Sequence, residues 1–176
     1  FGHPGPESDI EIARLMLTAL VSAGLRHLHL DLGHVGVFRA LAAEAGLPEE
    51  IEGDLFEALQ RKARSQVEAL LARSTAPAGI KAMLAALADL NGGAETLIQA
   101  RALLKGAPRA VQDALENLES VANGVMHLGA PVYFDLAELR GYRYYTGVVF
   151  SAFVPGQGQA VAQGGRYDGI GRAFGR

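Results

Sequence analysis

Hydrophobic residues near the start of the chain recur at the spacing of a buried helical face. The predicted face is formed by Ile12, Leu15, Met16, Ala19 and Leu20. Ser8 and Asp9 offer caps, Glu11 completes a capping-box pattern with Ser8, and Gly24 is a typical stop signal. The pattern therefore predicts a helix from about Ser8 to Gly24 with these apolar side chains facing the core.

A strand and a second helix are predicted next. Polar and apolar residues alternate over residues 27–32, which places the leucines on one face of a strand. Residues 33–36 are predicted as a turn in which His34 caps a helix over residues 37–45. A catalytic base at His34 is the alternative interpretation. These elements form a helix–strand–helix unit.

Residues 48–123 have a different character, because good helix formers dominate and β-branched residues are few. Breakers at residues 75–77, 91–93 and 106–108 divide this stretch into four or five predicted helices. We expect a packed helical subdomain, with its Lys and Arg residues on a solvated face.

After Gly124 the pattern favours strands at residues 132–135, 143–153 and 159–163, separated by short glycine-containing turns. Short connections between successive strands predict an antiparallel meander, which the first strand joins. The predicted fold class is α+β. Its domain core comprises residues 1–47 and 124–176, and residues 48–123 form a helical insertion.

Composition excludes several function classes. Nearly half of the 176 residues are hydrophobic, which is enough to bury a core. The formal charge of −3 gives no broad attraction to nucleic acid or to a membrane surface. The chain has no cysteine, which excludes disulfides and thiolate chemistry and fits a cytoplasmic protein. No run of apolar residues is long enough to cross a membrane. The chain does not begin with Met, and we expect it to be a fragment of a longer one.

A tyrosine-rich segment carries candidate binding chemistry. In a strand, Tyr142 and Tyr144 would face one way and Tyr145 the other, while a bulge at Gly141 would re-aim Arg140. An arginine can hold a carboxylate or phosphate through two parallel hydrogen bonds, and tyrosine rings suit a small planar polar ligand. The alternative is a tyrosine-rich strand packed on a helix, with Arg140 in an ion pair.

A glycine-rich segment follows. Gly164 and Gly165 allow a backbone to approach a ligand or another strand closely. Arg166 and Asp168 are two residues apart, so they can pair or orient neighbouring groups. The alternative is a hairpin turn with a surface ion pair. The pattern matches neither a P-loop nor a Rossmann fingerprint, so nucleotide binding by those routes is not expected.

Other chemistry is not indicated. The histidines show no metal-ligand spacing with carboxylates, and no nucleophile elbow suggests a Ser-His-Asp triad. We expect no metal, no cofactor and no catalytic residue.

Taken together, the motifs RGYRYYTGVVF at residues 140–150 and GGRYDG at 164–169 resemble the two histidine-specific motifs of histidyl-tRNA synthetase. Its paralogue, the regulatory subunit of ATP phosphoribosyltransferase, shares these motifs. Residues 5–11, 30–38, 134–142 and 171–176 are similar to the paralogue. The resemblance covers essentially the whole chain and implies a class II aminoacyl-tRNA synthetase-like sheet with flanking helices.

The resemblance also implies a ligand site. Tyr144, Tyr145 and Tyr167 would line a histidine-like pocket. Arg140, which matches the synthetase's catalytic arginine, would lie near a carboxylate or phosphate. The supporting residues would be Gly141, Arg143, Gly164, Gly165, Arg166 and Asp168.

Three departures separate this chain from the synthetase. Arg143 and Ser151 stand where the synthetase normally carries acidic residues, and Gln163 stands where it prefers glycine. The chain also corresponds to the region between the second and third class II motifs. The arginines of the ATP site are therefore not expected in it, and we expect no aminoacylation.

The resemblance thus implies a cytoplasmic, non-catalytic regulatory subunit acting in the first step of histidine biosynthesis. It would associate with the short catalytic subunit of ATP phosphoribosyltransferase, self-associate as a dimer, and mediate feedback inhibition by histidine. One alternative is the catalytic core of histidyl-tRNA synthetase, a ligase. Another is a synthetase-like module that serves a different process.

Overall fold

A mixed sheet flanked by helices organises the computed structural model of the chain, which describes residues 3–173 and residue 175. The termini of the predicted domain core, Phe1, Gly2, Phe174 and Arg176, lie outside the described residues. The first part contains α1 (Pro6–Ser22), β1 (His29–His34) and α2 (Val35–Ala45). The middle part contains α3 (Glu49–Gln60), α4 (Arg64–Ala72), α5 (Ala78–Ala86), β2 (Asn91–Gly92), α6 (Glu95–Leu103) and α7 (Arg109–Val125). A short 3-10 turn (Met126–Leu128) then leads to β3 (Val132–Asp135), β4 (Val148–Phe153), β5 (Ala162–Gly165) and α8 (Ile170–Ala173).

Five strands lie in the order β2-β3-β1-β4-β5. Strand β1 pairs in parallel with β3, with Leu30 opposite Val132, and antiparallel with β4, with Leu30 opposite Ala152. The predicted antiparallel meander is therefore wrong for β3, because β1 lies between β3 and β4. A parallel pair needs a long crossover, and the helices between β1 and β3 provide it. The other three pairings are antiparallel, and of these the pairing of β4 with β5 was predicted.

The alternation in β1 is confirmed. Leu28, Leu30 and Leu32 are buried against the helices. The opposite face of the sheet carries Asp31, which lies beside Ser151 of β4. Ser151 in turn lies beside Gln163 of β5. We call this side of the sheet the polar face.

The middle of the chain folds into five helices, and the three predicted breaks are confirmed. The short strand β2 was not predicted; it pairs with β3 at the edge of the sheet. Buried residues of these helices and of the sheet form one continuous core. The division into a two-part core and a helical insertion stays a prediction.

Helix α1 differs from its prediction in both its start and its buried face. It begins at Pro6, and the carboxylate of Asp9 does not cap it. Its buried residues are Asp9, Ala13 and Leu17, whereas Ile12 and Leu15 are 52% and 63% exposed. The helix is rotated about its axis relative to the apolar pattern, which brings Asp9 to Arg166, the residue that follows β5.

The strands near the two motifs are shorter than predicted. Strand β4 begins at Val148 rather than at Arg143, and β5 begins at Ala162 rather than at Gln159. The residues that precede β4 form a turn, because Gly141 adopts a left-handed conformation with φ of +71°. The amides of Tyr144 and Tyr145 both donate to the Gly141 carbonyl, at 2.9 and 2.8 Å.

Candidate functional site

Residues 140–146, which we call the tyrosine turn, lie over the polar face of the sheet. The rings of Tyr144 and Tyr145 are tilted with centroids 4.4 Å apart, and the Tyr167 ring lies 5.9 Å from that of Tyr144. The structure therefore brings the three predicted tyrosines together. Tyr144 and Tyr167 are exposed, while Tyr145 is half-buried.

Gly141 makes this cluster possible. A Cβ atom there would lie 2.5 Å from ring carbons of Tyr145 and 2.7 Å from the Tyr144 ring. Burial and a hydrogen bond with Tyr144 raise the pKa of the Tyr145 phenol. The cluster therefore presents aromatic rings and hydroxyls on this side of the sheet.

Arg140 is held by its near neighbour Glu138. Its Nε donates to both carboxylate oxygens, at 3.0 and 3.1 Å, and its Nη2 donates to Oε2 at 2.6 Å. The Arg140 side chain is nevertheless half exposed. The ion pair of the alternative interpretation is thus confirmed, whereas its tyrosine-rich strand is wrong, because these residues form a turn before β4. Two nitrogens of Arg140 contact Glu138, and a guanidinium has five N–H donors, so Glu138 does not use all of them.

Acidic side chains accompany Arg140 on the polar face. Burial raises the pKa of Asp31, and the carboxylates of Asp135 and Glu138 raise it further. Lys62, whose backbone is left-handed at φ of +55°, reaches from the end of α3 to form an ion pair with Asp135. This part of the face therefore combines anionic and cationic groups, a pattern suited to a zwitterionic ligand.

The space under the tyrosine turn is nearly filled. The cavity bounded by Arg140, Tyr144, Tyr145, Ser151 and Gln163 measures about 20 Å³, which is room for about one water molecule. Two open cavities lie on the same face. One, of about 370 Å³, is lined in part by Arg140, and the other, of about 350 Å³, is lined in part by Asp31. A ligand larger than water can therefore enter the tyrosine cluster only if a ring moves.

Arg166 has a structural environment. Its guanidinium contacts both carboxylate oxygens of Asp9 at 3.1 to 3.2 Å and donates to the Gly5 carbonyl at 2.8 Å. Its Nη1 also donates to Asp168 at 3.2 Å. The side chains of Arg166 and Asp9 are only 13% and 6% exposed. Arg166 therefore fastens the start of α1 to β5.

Asp168 connects this ion pair to the tyrosine turn. The hydroxyl of Thr146 donates to Asp168 at 2.7 Å and accepts from its backbone amide at 3.1 Å. The amide of Thr146 donates to the Arg166 carbonyl at 2.8 Å. The two motifs are thus joined through hydrogen bonds beside the tyrosines.

Gly164 and Gly165 lie in strand β5 rather than in a hairpin turn. A Cβ atom on Gly164 would lie 2.8 Å from the Phe150 ring, and one on Gly165 would lie 2.9 Å from the Val148 carbonyl oxygen. The hairpin interpretation is therefore wrong. These glycines permit the close approach of neighbouring groups from β4 and the tyrosine turn.

Two other predicted residues point elsewhere. Arg143 is exposed at the tip of the tyrosine turn. Tyr142 turns away from the polar face, and its ring packs against Phe38 and Phe56 with centroids 5.3 and 5.4 Å away. The tyrosine turn therefore directs Tyr144 and Tyr145 towards the polar face and Tyr142 towards the helices.

His34 has the predicted capping role. It is the N-cap of α2, and its Nδ1 accepts from the Gly36 amide at 3.0 Å. Burial lowers its pKa to about 4, with further contributions from Arg39 and Arg166. His34 is thus neutral near pH 7 and serves as a hydrogen-bond acceptor.

Another cavity lies away from the predicted site residues. It measures about 750 Å³ and lies between the second half of α1 and the start of β1, with a mainly apolar lining. Within the described ranges, no helix is long and apolar enough to cross a membrane. No group of three or more His, Asp or Glu side chains is placed there to hold a metal ion.

The family model described as histidyl-tRNA synthetase matches residues 1–176. The chain belongs to the histidyl-tRNA synthetase family. A family member from Chromohalobacter salexigens, named ATP phosphoribosyltransferase regulatory subunit, is 54% identical over an alignment that covers 100% of this chain and 45% of the relative. The resemblance to this paralogue is therefore confirmed. The chain spans about half the length of the curated relatives that it matches.

Solved structures of family members share the fold. An ATP phosphoribosyltransferase regulatory subunit/histidyl-tRNA synthetase from Bacillus halodurans aligns with a TM-score of 0.85 and 30% identity, covering 99% of this chain and 46% of that one. The ATP phosphoribosyl transferase (HisG:HisZ) complex from Thermotoga maritima aligns with a TM-score of 0.71 and 17% identity, covering 94% and 57%. The predicted class II synthetase-like fold is confirmed.

Proposed function

We propose that this chain is part of a non-catalytic regulatory subunit of ATP phosphoribosyltransferase, acting in histidine biosynthesis in the cytoplasm. The observation that carries the proposal is the 54% identity, across the whole chain, to a relative of that name. The proposed partners are a second copy of the subunit and the catalytic subunit, with no nucleic acid or membrane involved. One chain of the HisG:HisZ complex shares the fold of this chain, and that complex motivates the choice of the catalytic partner.

We place the proposed effector, histidine, on the polar face beside the tyrosine turn. Arg140 offers the unoccupied side of its guanidinium to the ligand carboxylate, and Asp31 and Glu138 offer carboxylates to its ammonium group. The rings of Tyr144 and Tyr145 offer flat surfaces to the imidazole. Since the enclosed space is about 20 Å³, binding in this mode requires the exposed Tyr144 ring to rotate.

Titration of histidine into the intact protein, alone and with the catalytic subunit, tests the proposal. Feedback control requires histidine to bind one state of the complex better than another, which typically changes affinity about 5- to 150-fold. We expect the subunit to raise the activity of its catalytic partner and histidine to lower it. Catalytic activity that is the same with and without this subunit would contradict the proposal.

A pair of variants tests the site within the same assay. Tyr144→Ala removes an exposed ring of the cluster, and we expect weaker histidine binding with little change in stability. Ile98→Ala is the control, because Ile98 is an exposed apolar side chain of α6 that lines none of the cavities of the polar face. Equal binding by both variants and the wild-type protein would place the effector at another site.

The synthetase alternative makes a different prediction. Arg143 and Ser151 replace residues that are normally acidic in the synthetase, so we expect no histidine-dependent pyrophosphate exchange by the intact protein. Exchange at an enzymatic rate would favour the synthetase.

A further inference from the structure

Arg39, near the middle of α2, holds the backbone of the tyrosine turn. Its Nη2 donates to the carbonyl of Tyr142 at 2.8 Å and to that of Tyr145 at 3.0 Å. These two carbonyls lie on either side of Arg143 and Tyr144. One guanidinium group therefore restrains the backbone before and after the exposed ring of Tyr144.

Tyr142 links the same turn to α3. Its hydroxyl donates to Glu52 Oε1 at 2.7 Å. Its ring lies under the guanidinium carbon of Arg39, which is 5.0 Å from the ring centroid, a distance at which a cation and an aromatic face attract each other. Burial and the hydrogen bond to Glu52 raise the pKa of Tyr142 to about 12, so the phenol remains a donor at physiological pH.

These contacts form a continuous path from α3 to the tyrosine cluster. Glu52 holds the Tyr142 hydroxyl, Tyr142 packs on Arg39, and Arg39 fixes the carbonyl of Tyr145. None of the first three side chains lines the cavity under the tyrosine turn. Their effect on a ligand would therefore be exerted through the backbone of the turn.

We propose that Glu52, Tyr142 and Arg39 are positioning residues that set the orientation of Tyr144 and Tyr145, so that helix α3 controls the affinity of the ligand site. The presence of a ligand site at the tyrosine turn and the identity of its ligand, histidine, rest on the function proposed above. A turn that is held in place loses less conformational freedom when a ligand orders its rings. Breaking the path should therefore weaken binding.

The path is tested in the intact protein by two variants that each remove one partner of the Tyr142–Glu52 hydrogen bond, Glu52→Leu and Tyr142→Phe. The first removes the acceptor and keeps a side chain of similar length, and the second removes the donor and keeps the packed ring. Glu50→Leu is the matched control, since Glu50 lies in the same first turn of α3 and is exposed. NMR with ¹³C-labelled tyrosine, assigned with single Tyr→Phe variants, observes the rings directly. Calorimetric titration measures histidine binding.

We expect Glu52→Leu and Tyr142→Phe to shift the resonances of Tyr144 and Tyr145 and leave that of Tyr133 in place. We expect each to weaken histidine binding about 3- to 10-fold, while Glu50→Leu changes neither. A purely structural role would lower the melting temperature without selective shifts at Tyr144 and Tyr145.

Unchanged Tyr144 and Tyr145 resonances in both variants would overturn the proposal, as would unchanged histidine affinity despite shifted resonances. If the wild-type protein binds no histidine, the proposed function fails, and the resonances still decide whether the path exists. Should Tyr142→Phe fail to fold, Glu52→Leu carries the same test.

Discussion

The tyrosine turn and the segment that follows strand β5 each contain an arginine close in sequence to glycine and tyrosine, but the two arginines have different surroundings. Arg140 in the turn is half exposed, and its carboxylate partner Glu138 is two residues away in the sequence. Arg166 is almost buried and pairs with Asp9, which lies 157 residues away in the sequence. One arginine remains accessible to a ligand, whereas the other joins two elements of the fold.

This difference shows that the type of residue and its local neighbours do not decide the role of an arginine. Its distant partners do. A buried ion pair contributes little net stability when both partners are present, but removal of one partner leaves a buried charge uncompensated. Stability measurements on the two arginines should therefore separate them clearly.

The largest effect is expected for Arg166→Met. This variant leaves Asp9 buried without its cation, and we expect a loss of about 3 to 5 kcal/mol in the free energy of unfolding, measured by urea denaturation. The double variant Asp9→Leu/Arg166→Met removes both charges and should recover part of the loss. If Arg166→Met lowers the free energy of unfolding by less than about 1 kcal/mol, Arg166 contributes no more to stability than a surface arginine does.

The pH dependence contributed by His34 should be nearly as large. Because its folded-state pKa is depressed to about 4, its stabilising contribution is present above pH 6.5 and is lost as the pH falls towards 4. The expected loss is about 3 kcal/mol. His34→Asn keeps a helix cap without the titration, so the wild-type protein should lose more stability than this variant over that range.

Asp9 and Asp31 complicate the absolute profile, because their raised pKa values stabilise the fold as the pH falls. The difference between wild-type protein and His34→Asn is therefore the quantity to measure. Arg166 also helps to lower the pKa of His34, so Arg166→Met should reduce this difference. Parallel pH profiles for wild-type protein and His34→Asn would show that His34 is not depressed.

A smaller loss is expected for Gly141→Ala in the tyrosine turn. The left-handed backbone and the contact with Tyr145 should together cost about 2 kcal/mol, and the tyrosine cluster should be displaced. Gly53→Ala is the control, because a Cβ atom there meets nothing within 4 Å. In the middle of α3 it should stabilise the protein by up to about 1 kcal/mol. Thermal unfolding of both variants checks this pair, and equal effects would contradict it.

Arg140→Met should have the smallest effect on stability, about 1 kcal/mol, because Arg140 itself is half exposed, although its partner Glu138 is only 13% exposed. Histidine binding by the intact protein should nevertheless weaken if Arg140 holds the ligand carboxylate. A large loss of stability on urea denaturation would remove the distinction between the two arginines.

The sequence allowed correct prediction of those elements whose cause lies within a few neighbouring residues. The leucines of β1 alternate because one face is buried, and His34 caps α2 through a hydrogen bond within its own turn. The breaks between the middle helices occur where proline and glycine interrupt good helix formers. In each case the cause lies within a few residues of the effect.

Features that depend on distant partners could not be predicted. Periodicity does not specify which strand lies beside β1, so its parallel pairing with β3 was missed. The apolar pattern of α1 pointed to Ile12 and Leu15, but the helix turns Asp9 inward because Arg166 is there. The position of Asp9 on one face with Ala13 and Leu17 was a signal that could have raised this possibility.

The candidate site likewise contains some residues that the sequence indicated and others that it did not. Motif resemblance pointed to Arg140 and the three tyrosines, which the structure places around one part of the sheet. Arg39 and Glu52 were missed because they lie in ordinary helical sequence. Only the folded arrangement shows that both reach the tyrosine turn.

The central position of β1 has a consequence for biosynthesis. This strand is made before all of its neighbours, and its antiparallel partner β4 ends only at Phe153. At ordinary translation rates the delay is on the order of ten seconds. During that interval Leu30 and Leu32 lack their sheet, so a ribosome stalled within the helical stretch would display an unpaired leucine strand. We expect such nascent chains to need chaperone protection more than the finished chain does.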